Sequence, residues 1–226
     1  MKSLFTSLVY QPILNLTVLL YSTLGFHDLG VAIIAMTVVV RAALLPLSIK
    51  TAKSQKAMAE LAPHIEKLKE THKGNTTAQS EAVMALYKEK GVNPLAGCVP
   101  LLLQLPILIG VYQVFLNIFK PETLNLLYSF MPHPGVINHM MFGVLDISAK
   151  NQILAILAGV TQFFQARTAM ASQSSTPQTA AIGQQMMYML PVMIIVISWN
   201  LPAGLALYWV TTSLWSIGEQ LYLRRS

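Results

Sequence analysis

Between Leu29 and Ile49 the chain carries eleven Leu, Ile and Val residues and a single charge, Arg41. An arginine at the centre of a spanning helix costs about 3 kcal/mol, while each central Leu, Ile or Val returns roughly 0.5 kcal/mol. The apolar residues outweigh the charge, so the segment reads as a membrane span. At about 1.5 Å per residue, Arg41 lies roughly 12 Å from the cytoplasmic end of the span if Ile49 marks that end, which is deep for simple snorkelling. Helical spacing sets Thr37, Arg41, Leu44, Leu45 and Ser48 on one stripe. No Asp or Glu falls in the apolar core of any span; Glu219 comes nearest, in the last turns before Arg224 and Arg225. An arginine so placed snorkels to headgroups, caps carbonyls freed by prolines, or faces a water-filled cavity that receives a substrate. The missing counter-charge favours the cavity.

With 54% hydrophobic and only 11% charged residues, the chain departs from the soluble average and reads as an all-α integral membrane protein. The net charge of +6 is placed by topology rather than for nucleic acid, and no specific nucleic-acid binding is expected. Of fifteen Lys and Arg, eight fall in 50–90, with Arg167, Arg224 and Arg225 on the same side, against Lys2, Lys120 and Lys150 on the other. The richer side is cytoplasmic by the positive-inside rule. The single cysteine, Cys98, excludes an internal disulfide and reads as a small packing residue.

Five apolar windows mark transmembrane helices at about 29–49, 95–118, 151–168, 185–201 and 203–223. With the 50–90 loop inside, the first span starts outside and the C-terminus, a short basic tail at 224–226, is cytoplasmic. The fourth span is short, and Asn200–Gly204 makes a tight hairpin into the fifth. In 1–26, Leu4, Phe5, Leu8, Val9, Pro12, Ile13, Leu16, Leu19 and Leu20 recur at helical spacing, with Ser3, Thr6, Ser7, Gln11, Asn15 and Ser22 on the other side. This predicts an outer amphipathic interfacial helix; a further span or a signal peptide is the rival reading.

The polar segment 50–90 predicts a cytoplasmic helical hairpin, with Met58, Leu61, Ile65 and Leu68 as one seam and Ala82, Val83, Leu86 and Tyr87 as the facing stripe. Pro63 should kink its first helix, and His72–Asn75 should turn the chain. Its charged surface is either a solvated face or a docking surface. Gly91 suits a helix C-cap, and Asn93–Pro94 suits entry to the second span. The 119–150 segment reads as an outer connection with a short interfacial helix, and 171–181 as a flexible inner linker. His133 and His139 lack partners at ligand spacing, so no metal is expected.

Asn151, Ala155, Ala158, Gln162 and Gln165 share a face of the third span, Gln104 adds an amide in the second, and Thr212 and Ser216 lie at helical spacing in the fifth. Each alone is ordinary interhelical glue; with Arg41 they point to a hydrated groove. Prolines 46, 100, 106 and 191 free carbonyls or kink helices, and Met186, Met187, Met189 and Met193 give a pliable apolar surface that fills a core or slides varied segments. No phosphate loop, HExxH, nucleophile motif or paired intramembrane carboxylates are present, so no catalytic residues and no cofactor are expected. No inverted repeat supports a secondary transporter.

An arginine before "AALLPLSIKTAKSQKAM", then "EAVMALYKEKGVNPLAGCVPLLLQLPI", then "LPAGLALYWVTTSLWSI" resembles the YidC family of membrane protein insertases, from about residue 4 to 223. The order of these motifs is specific where each alone is weak. The resemblance implies a five-span core whose groove opens to the cytoplasm and the bilayer and is closed outside. Arg41 matches the family's groove arginine, which attracts acidic residues of a client's translocated tail, and Gln104 matches a groove position. Thr37, Ser48, Gln162 and Gln165 join them by helical facing. Nascent membrane proteins, the ribosome, the Sec translocon and the lipid bilayer are the implied partners, in a bacterial inner membrane rather than an organellar one. Only "RRS" follows the last window, unlike the long basic tail of larger members, which predicts weak autonomous ribosome binding. A small channel or transporter subunit, or a membrane assembly scaffold, are the alternatives.

Overall fold

The computed structural model describes residues 2–24, 27–93, 99–131, 133–170 and 177–225. Its long helices begin where capping chemistry permits. Asp28 accepts a hydrogen bond from the Val31 amide at 3.1 Å and so starts α3, Leu29–Glu60. α3 does not end at Ile49: it continues unbroken past Lys50, because solvated lysines and glutamines are good helix formers that hydropathy does not register. At 32 residues it reaches about 48 Å, well beyond the roughly 30 Å hydrocarbon layer of a bilayer. Its apolar part has a mean hydropathy of 2.2, and among the described residues it is the one helix long and apolar enough to cross a membrane by that measure. Leu102–Asn117 and Met187–Trp199 are shorter apolar stretches.

The expected kink at Pro63 is a full break. Leu61 joins α3 to α4, Ala62–Thr71, and Pro63 sits in the first turn of α4, where its missing N–H leaves no intrahelical bond unmade. The chain turns at 72–75, Gly74 taking a φ of 94°, and Asn75 caps α5, Thr76–Glu89, by accepting from the Ala78 amide at 3.0 Å. Leu61 and Ile65 are buried, α4 packs on α5, and Ala82, Val83, Leu86 and Tyr87 are half-buried. Gly91, at φ 64°, ends the hairpin, with the Val92 amide donating back to the Tyr87 carbonyl. Pro94 and Cys98 fall outside the described residues, as does the start expected for the second span.

The remaining long helices are α6, Val99–Asn117, α8, Gln152–Met170, α9, Pro177–Trp199, and α10, Ala203–Arg225. α9 is longer than the short span expected, although its apolar part starts at Met187. These helices alternate in direction with α3. The start of α3, the end of α6 and the starts of α8 and α10 gather at one end, here called the Asp28 end. There the Phe142 amide meets Asp28, Lys150 bridges to Pro202, and Gly204 lies so close to Ile147 and Phe115 that a Cβ would sit 2.7 and 2.8 Å from their side chains. The connection from α6 to α8 contains α7, Pro121–Leu124, and two short antiparallel strands that the sequence did not announce, β1, Met140–Met141, and β2, Leu145–Asp146.

The N-terminal segment is helical as expected: α1, Lys2–Phe5, a π-helical stretch Thr6–Tyr10, and α2, Gln11–Thr23. Its facing differs from the sequence reading. Asn15 and Thr17, with 2% and 0% of their surface exposed, lie inside, whereas Leu4 and Leu8 are 65% and 72% exposed. The cause is the backbone at Leu126, Tyr128 and Asn138, which needs partners. The Asn15 amide takes the Tyr128 N–H at 2.7 Å, Gln11 donates to the Leu126 carbonyl at 3.0 Å, and the Tyr21 hydroxyl accepts from the Asn138 amide at 2.8 Å. Leu14, Val18, Leu29, Ile33, Met36, Val111, Val114, Ile118 and Ile147 close the main core around these contacts.

Candidate functional site

Arg41 lies on α3 three turns below Leu29, Gln104 on α6, and Tyr208 on α10. The structure joins them. Arg41 Nη2 donates to Gln104 Oε1 at 2.9 Å, and Gln104 Nε2 donates to the Tyr208 hydroxyl at 2.8 Å. The guanidinium only donates and so fixes which way the amide points, leaving the amide nitrogen to donate to the phenol, which is 2% exposed. A guanidinium has five N–H donors, and among the described residues one has a protein acceptor. No carboxylate forms an ion pair with it there; Glu219 exerts an electrostatic pull without contact. The half-buried arginine thus has most of its donors without a protein acceptor among the described residues.

Burial changes sharply at this level. Six of the nine residues from Leu29 to Thr37 are buried, and none from Val38 to Lys50 is. α6 repeats the pattern in the opposite sense: five of the nine from Gly110 to Ile118 are buried, and none from Leu102 to Ile109. Arg41 and Gln104 therefore sit just beyond the packed half, on the side that leads to the hairpin. Ser48 is half-buried two turns further along α3 in that direction.

The other expected residues are placed differently. Thr37 is 1% exposed and gives its hydroxyl to the Ile33 carbonyl of its own helix at 2.7 Å, so it belongs to the packed half. Ala155, Ala158 and Gly159 let α8 approach its neighbours closely, a Cβ on Gly159 meeting Ile195 of α9. Gln162 consequently accepts from the Ser213 hydroxyl of α10 at 3.3 Å, and Thr168 donates to Gln220 at 2.6 Å. These amides form a helix–helix seam separate from the arginine contact. In that seam Gln165 Oε1 is buried without a hydrogen-bond partner among the described residues. Asn151 caps α8 by accepting from the Leu154 amide.

Tyr208 escaped sequence reasoning. A tyrosine in an apolar helix reads as packing, and the usable signal was its position one turn before Thr212 on one face of α10. Among the described residues no cluster of three metal-ligating side chains occurs; His139 stands 4.0 Å from Asp146 alone. A cavity of about 410 Å³ lies on the hairpin, lined by Met84, Ala85, Tyr87, Lys88 and Val92, and includes none of the arginine cluster.

Comparison with known proteins matches residues 19–226 to the family described as 60Kd inner membrane protein. The membrane protein insertase MisCA of Bacillus subtilis is 38% identical over 202 residues, covering 86% of this chain and 70% of that one. The membrane protein insertase YidC of Streptomyces avermitilis is 30% identical over 219 residues, 87% of this chain and 51% of that protein. A solved structure described as an active YidC insertase with its first transmembrane domain resolved superposes over 95% of this chain and 45% of its own, with a TM-score of 0.62 at 30% identity. The chain thus spans about half the length of some relatives and most of others.

Proposed function

The chain belongs to the YidC family of membrane protein insertases, and from that membership we propose that it receives nascent membrane segments at Arg41 and Gln104 and releases them sideways into lipid. α3, α6, α8, α9 and α10 are then five spans of a bacterial inner membrane, with the Asp28 end outside and the hairpin and C-terminus in the cytoplasm. The alternating helix directions support this, as do the exposed Val192, Val196, Ile153 and Phe164 and the eight lysines of 50–90. Insertion so described makes and breaks no covalent bond, and the chain is not an enzyme.

The observation that carries the reading is a cation without an ion-pair partner among the described residues, placed where α3 and α6 pass from buried to unburied residues. Water admitted from the unpacked side hydrates a polar tail halfway across and lowers its desolvation cost. Arg41, with donors to spare, pairs with carboxylates of that tail, and Gln104 holds the guanidinium toward them. Ser48 lies on the entry side. Gln165 offers a second unpartnered polar atom, while Thr37 and Gln162 hold the helices in place. The hairpin recruits or admits substrate; ribosomes bearing nascent chains and the Sec translocon are the partners that membership suggests.

Purified variants in proteoliposomes test this. Arg41→Ala is expected to slow insertion of clients with acidic translocated tails about tenfold, the size of one charge-assisted hydrogen bond, and Arg41→Lys less. Insertion of every such client by Arg41→Ala at the parent rate removes the electrostatic role.

A further inference from the structure

The two-residue turn between β1 and β2 has a geometry that one of its residues resists. Phe142 and Gly143 both take positive φ, 51° and 69°, and the Val144 amide donates to the Met141 carbonyl at 3.0 Å, which is a type I′ turn. Asn or Asp suits the first of these positions; a bulky aromatic there is strained. Phe142 is 73% exposed and Val144 86% exposed, so neither side chain recovers that strain by packing within the protein. The turn is nevertheless held firmly from behind. The Phe142 amide donates to Asp28 Oδ2 at 2.6 Å while Oδ1 of the same carboxylate caps α3, and Met141 lies over Gly30. At the hairpin base Ile147 donates to the His139 carbonyl and accepts from the Gly204 amide.

We propose that the Phe142–Val144 tip is a lipid anchor, seating its phenylalanine and valine among the glycerol and upper acyl carbons of the outer leaflet. The proposal rests on the five-span reading above. The tip is fastened at the first residues of α3 and α10, where the spans begin and the bilayer boundary must lie. The same connection carries an exposed Phe130 stacked on Tyr128 at 5.4 Å, the kind of aromatic that lies at membrane interfaces. It also carries exposed Lys120 and Lys150, which suit phosphate headgroups. A backbone that spends strain to present apolar side chains outward, on a rigid base at the membrane boundary, fits insertion into that boundary.

Depth-dependent quenching tests it. In a Cys98→Ser background, Val144→Cys is labelled with an environment-sensitive fluorophore and the full chain is reconstituted in phosphatidylcholine–phosphatidylglycerol vesicles. The probe should be quenched by a nitroxide near the headgroup, less by one near the chain end, and escape aqueous iodide. Adding Phe142→Asn, which suits the turn and leaves the hairpin folded, should restore iodide quenching. Probes at Lys73 and Leu157 serve as references for the cytoplasmic turn and for a span. Deep quenching at Leu157 with iodide access at Val144 overturns the anchor alone; absence of nitroxide quenching at both overturns the five-span reading with it. A Val144 probe shielded from both quenchers means that a second copy or another protein covers the tip, and also overturns the anchor.

Discussion

At the Asp28 end, three stretches are bound to the connection between α6 and α8: α2 through Asn15 and Tyr21, the start of α3 through Asp28, and the first residues of α10 through Ala203 and Gly204. Toward Lys50, the polar cross-link from α3 to α6 and α10 among the described residues is the chain Arg41–Gln104–Tyr208. There α3 and α6 are joined by that polar bridge and can part without breaking the seam between α8 and α10.

The largest expected effect breaks the packed half. Gly204→Val must push a side chain into Ile147 and Phe115, and overpacking of this kind costs about 3 kcal/mol. Ala43→Leu, on the exposed stretch of α3, should change stability by less than about 0.5 kcal/mol. Thermal unfolding in detergent compares them; equal losses would mean that the two halves are packed alike.

Solvent access sharpens the same contrast. In a Cys98→Ser background, single cysteines at Ser48 and Gln104 should react with a water-soluble maleimide at least about tenfold faster than at Thr37 or Gln162, and from the cytoplasmic side, because a thiolate forms only where water reaches. Labelling of Gln104 from both sides would favour a channel. Uniform protection would favour a packed scaffold.

The turn residue gives a smaller effect of opposite sign. Phe142→Asn relieves left-handed strain without removing a protein contact, so the variant should gain about 1 kcal/mol in detergent, where no bilayer rewards the phenylalanine. A loss would show that Phe142 packs in the folded protein.

How far these features could be read beforehand follows from the range of the interactions. Hydropathy located the cores of α3, α6, α8, α9 and α10, and local turn chemistry at Asn75, Gly74 and Gly91 located the hairpin, because those signals act within a few residues. The motif around "LLLQLP" marked Gln104 by resemblance, while its hydrogen bond with Arg41 came from the structure. Periodicity failed at Asn15, since a buried amide looks like a surface residue until its partners Leu126 and Tyr128, more than a hundred residues away, are known. Nor did it single out the partner of Gln162, the Ser213 hydroxyl of α10, fifty-one residues away. The strands β1 and β2 are too short for any alternating pattern, and their register comes from the Phe142–Gly143 turn and from Asp28.

The smallest expected effect concerns the turn that follows β2. Asp146 accepts the Ser148 hydroxyl at 2.6 Å and the Ser148 and Ala149 amides at 2.8 and 3.2 Å, and the Ser148 hydroxyl is the chief cause that holds its carboxyl below the usual carboxylate range, with His139 a lesser one. A carboxyl with a lowered folded pKa stabilises the fold fully above its unfolded value, about 3.9, and loses that contribution as pH falls through the folded value. Ser148→Ala removes the chief cause, so it should destabilise at pH 7 and converge with the parent at the acid end. The carboxylate stands in water, which screens it, and the difference at pH 7 should be on the order of 0.3 kcal/mol and shrink with salt. Thermal unfolding of parent and Ser148→Ala at pH 7 and at acid pH measures this. A gap that persists unchanged in acid would show that Ser148 acts through packing at the Asp28 end and not through the Asp146 charge.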